Sequence, residues 1–460
     1  MILIKLIFDI IIIVKRIKHK LKIYLLPAII WALSTGTVFS MNFSDRTDTF
    51  TLSNGLKVVL IQDKRSPLVV SSIWYKVGSS YEQEGISGIS HILEHLMFKG
   101  TKNTKPGEFS RRIKEIGGSE NAFTGRDFTG YYQKVHKDYL ELSLRLESDR
   151  MQNLVFVQEE VDKEIEVVKE ERRLRTDDQP ISKVFERIGK QVFGMSGYGI
   201  PIIGTMSDIN SIEISDLKKW YSNYYSPNNA TIIIAGDIDF INSRKLVEKY
   251  YGSIPSKEVL KSSNEISHER SLDDILVKDK VSQPIILMSF ENDYFTNSNK
   301  KDMYSLELLF ELMDGSSSSR FTKNLIDEKK IAISTFISYD TYSARKNLIT
   351  IGGSPRKGVD TDQFRKELLK EFEDFINYGL TKDELEQVKS RLLANNIYKF
   401  DSVFYQVMQV GMMETKNHDW RLLDNYIQDI NSINEDDLKA IAQKVIINNK
   451  YLYSLIRPKS

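Results

Sequence analysis

The stretch Gly88-Ile-Ser-His91-Ile-Leu-Glu94-His95-Leu-Met-Phe98 carries His-x-x-Glu-His within apolar spacing that marks a helix. Residues four apart share a helix face, so His91 and His95 point at one metal ion. Glu94, next to His95, reaches a water on such an ion without being a ligand itself. Two imidazoles and a carboxylate, with a fourth position left for water, suit zinc. That water drops to a pKa of about 7, and a neighbouring carboxylate takes its proton during attack on a carbonyl. A histidine on an apolar helix is more often structural. Here, though, the chain has six histidines in all, and two of them fall in this one motif.

One protein ligand is missing from this stretch. The helix expected over 159–175 offers Glu164-Ile-Glu166-Val-Val-Lys-Glu170-Glu171. Glu164 and Glu171 stand seven apart, two helical turns, and share a face. One can bind the metal while the other orients a ligand imidazole. Spacing does not choose between them, and a helix this rich in Glu, Lys and Arg also reads as a solvated face with i,i+4 ion pairs.

Around the motif the pattern mixes strands and helices. Asn54-Gly55 marks a hairpin turn, 69–77 reads as a strand, and 106–116 as a helix bounded by Pro106 and Gly117. Strands follow at 120–124 and 128–136, then helices at 138–153 and 159–175, and a buried strand at 230–235. After a polar stretch, 253–275, the order repeats: strand 285–290, helices 301–314 and 320–328, strands 333–338 and 348–353, and long helices 362–377 and 381–395. The pattern predicts an α+β chain of two duplicated halves. The first, 45–252, carries the motif; 253–275 is the linker; the second, 276–460, has no histidine on the helix before its Gly315-Ser-Ser-Ser-Ser-Arg320 turn.

These features together resemble the insulinase/pitrilysin family of inverted-motif zinc peptidases, in its mitochondrial-processing-peptidase-like bacterial branch. The marks are residues 88–101, the run Glu164 to Glu171, Gly118-Ser-Glu-Asn121-Ala-Phe-Thr124, and the Ser-rich turn before Arg320. The resemblance implies two α/β-roll halves, each a mixed sheet packed with long helices, closing as a clam-like enclosure. It puts the third zinc ligand at Glu171, a supporting carboxylate at Glu164, and substrate contacts at Asn121 and Ala122, where a peptide adds as a strand. One zinc per chain is implied. Members of the family often carry an Arg and a Tyr after the Ser-Ser-Arg turn; the matching positions here are Ile326 and Ile333, which cannot donate to an oxyanion.

The chain has 460 residues, 41% hydrophobic and 28% charged, which fits a globular protein large enough for two cores. Lys plus Arg is 64 against 63 acidic residues, so nothing points to nucleic acid. There is no cysteine, which excludes disulfides, thiolate metal sites and a thiol nucleophile. Residues 1–40 hold two apolar runs around a basic cluster and end in small residues. That order predicts a secretory signal, with a retained membrane anchor or a start near Met41 as alternatives. The periplasm or the periplasmic face of the inner membrane is the expected location, and the cytoplasm if the start is Met41. The function expected is a zinc metalloendopeptidase acting on extended peptides, alone, as a homodimer, or with a related subunit. The competing expectation is a non-catalytic or partner-dependent subunit of a processing-peptidase-like complex.

Overall fold

The computed structural model of the chain describes residues 43–260 and 272–459. The leader and the middle of the expected linker lie outside these residues, and no described helix is long and apolar enough to cross a membrane.

The first half builds a six-stranded sheet from β1 (Thr47–Thr51), β2 (Lys57–Gln62), β3 (Leu68–Tyr75), β4 (Ser119–Thr124), β5 (Thr129–His136) and β6 (Ala230–Gly236), in the order β1-β2-β6-β3-β5-β4. The β1–β2 hairpin closes at Asn54-Gly55, where Gly55 takes φ +85°, a left-handed conformation that glycine adopts without strain. β6 is buried along its whole length, as a strand covered on both faces must be, and its all-apolar centre follows from that. Its helices are α1 (Ile89–Leu96), α2 (Glu108–Glu115), α3 (Leu140–Asn153), α4 (Gln158–Arg172), α5 (Pro180–Phe193), α6 (Met206–Ser211), α7 (Ile214–Tyr224) and α8 (Phe240–Tyr251).

The second half builds a five-stranded sheet from β7 (Ile275–Asp279), β8 (Ile285–Asn292), β9 (Ala332–Ser338), β10 (Asn347–Pro355) and β11 (Tyr451–Pro458), ordered β7-β11-β8-β10-β9. Its helices are α9 (Lys300–Asp314), α10 (Thr361–Tyr378), α11 (Lys382–Phe400), α12 (Val403–Thr415), α13 (Leu422–Ser432) and α14 (Glu435–Ala442). The segment expected as a helix at 320–328 is π-helical, Phe321–Glu328.

The series β2-β6-β3-β5-β4 and β7-β11-β8-β10-β9 have the same strand order and the same sense at every pairing. The first pair is parallel and the other three are antiparallel. The expected duplication is thus present in the topology. Each half also lends the other a helix. From the first half, α5 sets Val184, Ile188 and Val192 against Ile275, Leu287, Leu452 and Ile456 of the second sheet. From the second half, α12 lies on β6 and β3, close enough that a side chain at Gly411 would run into the Trp74 ring. Lys57 pairs with Glu414 at 2.7 Å across the same junction.

Candidate metal centre

α1 begins at Gly88, whose φ of +90° and distance of only 2.7 Å from an added Cβ to the Ile203 carbonyl leave no room for another residue. Its first amides are held by Glu82, six residues upstream, which accepts from Gly88 N at 2.6 Å and Ser90 N at 2.9 Å. Burial pushes the Glu82 carboxyl up to about 7. Ile89, Ile92, Leu93 and Leu96 enter the first core, and this fixes the opposite face, with His91 and His95, towards α4. Along α4, buried Val161 and Val168 set Glu164 and Glu171 on the α1 side. The helix loosens into a π-helical turn, Arg173–Asp177, two residues after Glu171.

Three side chains converge. Glu171 Oε2 lies 3.7 Å from His91 Nε2 and 3.5 Å from His95 Nε2, and one donor atom from each residue falls within 4.8 Å of the others. Tetrahedral ligands at zinc bond lengths of roughly 2.0–2.2 Å stand about 3.4 Å apart, so the carboxylate-to-imidazole edges fit a zinc ion. The remaining ring nitrogens differ. His95 Nδ1 meets Glu164 Oε2 at 3.0 Å, and Glu164 Oε1 holds Lys99 Nζ at 2.6 Å. His91 Nδ1 is buried and has no hydrogen-bond partner among the described residues. Glu171 Oε1 takes Arg175 Nη1 at 2.6 Å, leaving Oε2 free for a metal.

The electrostatics follow from these partners. Burial, with smaller contributions from His95 and Arg175, pushes His91 down to about 3, so its imidazole is neutral and ready to coordinate. For His95, burial acts in the same direction, but the Glu164 hydrogen bond and the charges of Glu94, Glu164 and Glu171 outweigh it and raise the value. Glu164 is held below the usual carboxylate range despite its burial, because His95 and Lys99 both stabilise its charge. Glu94 is raised by burial, against a 2.5 Å hydrogen bond from Thr124 Oγ1.

These groups face a cavity of about 1090 Å³ whose wall includes both halves, with Ser338, Tyr339, Leu348 and Lys416 from the second. Asn121 and Ala122 line it from β4, the sheet's edge strand, with the Ala122 amide capped by Asn121 Oδ1 at 2.9 Å. Ile326 packs against the second core and Ile333 is half exposed; neither is in the cavity wall. Every expected site residue of the first half therefore reaches the cavity except Glu164, which stands behind His95. Sequence reading missed the roles of Glu82, Lys99 and Arg175. Arg175 had a signal, four residues after Glu171 on one helix face; Glu82 had none.

The chain resembles known proteins in both sequence and fold. The profile of insulinase (peptidase family M16) matches residues 57–206, and that of the peptidase M16 inactive domain matches 211–392. The zinc protease PqqE of Helicobacter pylori is 31% identical over 373 residues, 80% of this chain and 83% of that one. The zinc protease YmxG of Bacillus subtilis is 28% identical over 412 residues, 89% and 98% of the two chains. The crystal structure of a protease from Helicobacter pylori superposes with a TM-score of 0.82 at 28% identity, covering 90% of this chain and 99% of that one. With a relative above 30% identity matched over most of both chains, and the same two-sheet fold, this chain belongs to the insulinase family of peptidases, M16.

Proposed function

We propose that the chain is a zinc metalloendopeptidase that holds one zinc through His91, His95 and Glu171 and hydrolyses extended peptides in its cavity. The observation that carries this reading is the convergence of those three donors beside Glu94, a buried carboxylate that none of them needs as a ligand. Zinc, when bound, supplies a Lewis acid for the scissile carbonyl and acidifies a water. Glu94 is the proton carrier: its raised affinity for a proton suits it to accept from water and pass to the leaving amine. The Thr124 hydroxyl fixes its Oε2 on the last residue of β4, next to the edge on which a peptide adds as a strand. Asn121 and Ala122 are the contacts on that edge. Glu164 holds the His95 ring so that Nε2 keeps its lone pair towards the metal.

The test is metal analysis and a peptide-library digest of the parent and of Glu94→Gln. One zinc per chain in both proteins, with cleavage in the parent alone, is the expected result; a parent without zinc ends the reading. The second reading, a subunit that needs a related chain, rests on Ile326 and Ile333 standing where members of the family often carry an Arg and a Tyr. It is indicated if zinc-loaded parent cleaves only after that chain is added. The basic-apolar leader supports export to the periplasm, testable by fractionation and by the mature N-terminus.

A further inference from the structure

We infer that Arg126 is a carboxylate-recognising subsite that makes the cavity prefer peptides bearing an acidic group close to the bond to be cut. The inference rests on the peptidase reading and names its substrate class.

Arg126 sits in the turn that joins β4 to β5, and it lines the cavity. The turn is held rigidly. Gly125 N–H donates to the Phe128 carbonyl at 2.8 Å, and the Arg126 carbonyl accepts from Ser80 N–H at 2.8 Å. Its guanidinium lies 5.1 Å from the centre of the Tyr198 ring, in cation–π range. That ring is fixed in turn: its hydroxyl donates to buried Asp127 and accepts the Ala344 amide at 3.3 Å. An arginine stacked on a fixed ring keeps its donor fork available and loses little freedom when it binds.

The charge balance of the wall separates Arg126 from the other cations. Arg175 is taken by Glu171 at 2.6 Å, and Lys416 by Asp340 at 2.7 Å. The wall carboxylates are engaged too: Glu94 by Thr124, Asp127 by Ser80 and Tyr198, and Glu186 by Arg172. Among the described residues Arg126 alone of the wall's Lys and Arg side chains has no carboxylate within ion-pair distance. A fork of parallel N–H donors matches a carboxylate bidentately. Arg126 follows Thr124, the partner of Glu94, by two residues, so their Cα atoms stand at most about 7 Å apart. The recognised carboxylate therefore belongs within about two or three positions of the scissile bond. It can be an Asp or Glu side chain or a peptide's C-terminal carboxylate.

The test uses the full zinc-loaded chain with Glu94→Gln, so that ligands bind without being cut. Fluorescence anisotropy is measured with matched ten-residue peptides that carry Ala, Asp or Lys at each central position in turn, each with a free or an amidated C-terminus. We expect at least one Asp peptide, or the free-acid form, to bind about tenfold more tightly than its neutral counterpart. Adding Arg126→Gln should abolish that difference, and Arg126→Glu should turn it towards Lys. Preference for the free acid assigns the terminal carboxylate; preference for internal Asp assigns the side chain. Equal affinities, a preference that survives Arg126→Gln, or no peptide binding at all overturns the inference. If acidic preference is found while the Glu94-containing parent cleaves nothing, the peptidase reading fails and the subsite stands.

Discussion

Glu164 Oε2 lies 3.0 Å from His95 Nδ1, and its other oxygen is held by Lys99 at 2.6 Å. The carboxylate is thus pinned from outside and orients the ring from behind. Outer groups of this kind contribute about 10- to 100-fold to metal affinity. Glu164→Gln keeps the shape and removes the charge, and it should weaken zinc binding by that factor in a chelator competition. An unchanged zinc affinity would mean that the His95 ring is positioned by packing alone.

The Thr124 hydroxyl donates to Glu94 Oε2 at 2.5 Å. A hydrogen bond to a charged group is worth roughly 1.5–3 kcal/mol, and losing it frees a buried carboxylate to rotate. Thr124→Val should leave zinc stoichiometry intact and lower kcat/KM by about 10-fold or more, whereas Thr124→Ser should retain most of the activity. Equal rates for Val and Ser would refute the hydroxyl's role.

Glu307 on α9 is partly buried, with Tyr426 O–H donating to its Oε1 at 2.9 Å; its Oε2 is shut off from solvent and has no hydrogen-bond partner among the described residues. Burial pushes its carboxyl from the ordinary 4.5 up to about 7. Between those two values the folded protein keeps a proton that the unfolded chain has released. Its contribution is therefore complete below pH 4.5 and is lost as pH rises through about 7. Urea unfolding of wild type and Glu307→Gln at pH 4.5 and pH 8 should show the difference moving against wild type by on the order of 3 kcal/mol. A difference that does not change with pH would remove burial as the cause.

Much of this site was legible because its chemistry is local. His91, Glu94 and His95 occupy one helix, and a period of 3.6 residues fixes their common face. Glu171 needed more, since Glu164 has the same face and the same chemistry. The family resemblance chose Glu171, whose Oε2 lies 3.5 and 3.7 Å from the two imidazoles, while Glu164 stands behind His95. Glu82 was invisible, because a cap reaching back from a loop leaves no periodic trace. The fold shows the same division. Alternation and apolar runs marked the strands, and the repeated order marked two halves. Nothing in the periodicity of α5 or α12 says that each covers the other half's sheet; that depends on which apolar face meets which partner.

The exchange of α5 and α12 carries a mechanical consequence. At Gly411 the α12 backbone rests on the Trp74 indole, which is buried and also packs edge-on against Phe123 and Phe128 at 4.8 and 5.2 Å. Phe123 belongs to β4, the strand that carries Asn121 and Thr124, so the tryptophan connects the borrowed helix to the wall of the cavity. Any side chain at 411 must push either the helix outward or the indole into its neighbours. Overpacking of this kind costs about 1–3 kcal/mol. Gly411→Leu should therefore lower Tm, measurable by circular dichroism, and should also reduce peptidase activity at temperatures where the protein remains folded, with zinc still bound. Gly411→Ala should do both to a smaller extent. Retained activity in a destabilised Gly411→Leu protein would show that strain at this junction stops at Trp74 and does not reach β4.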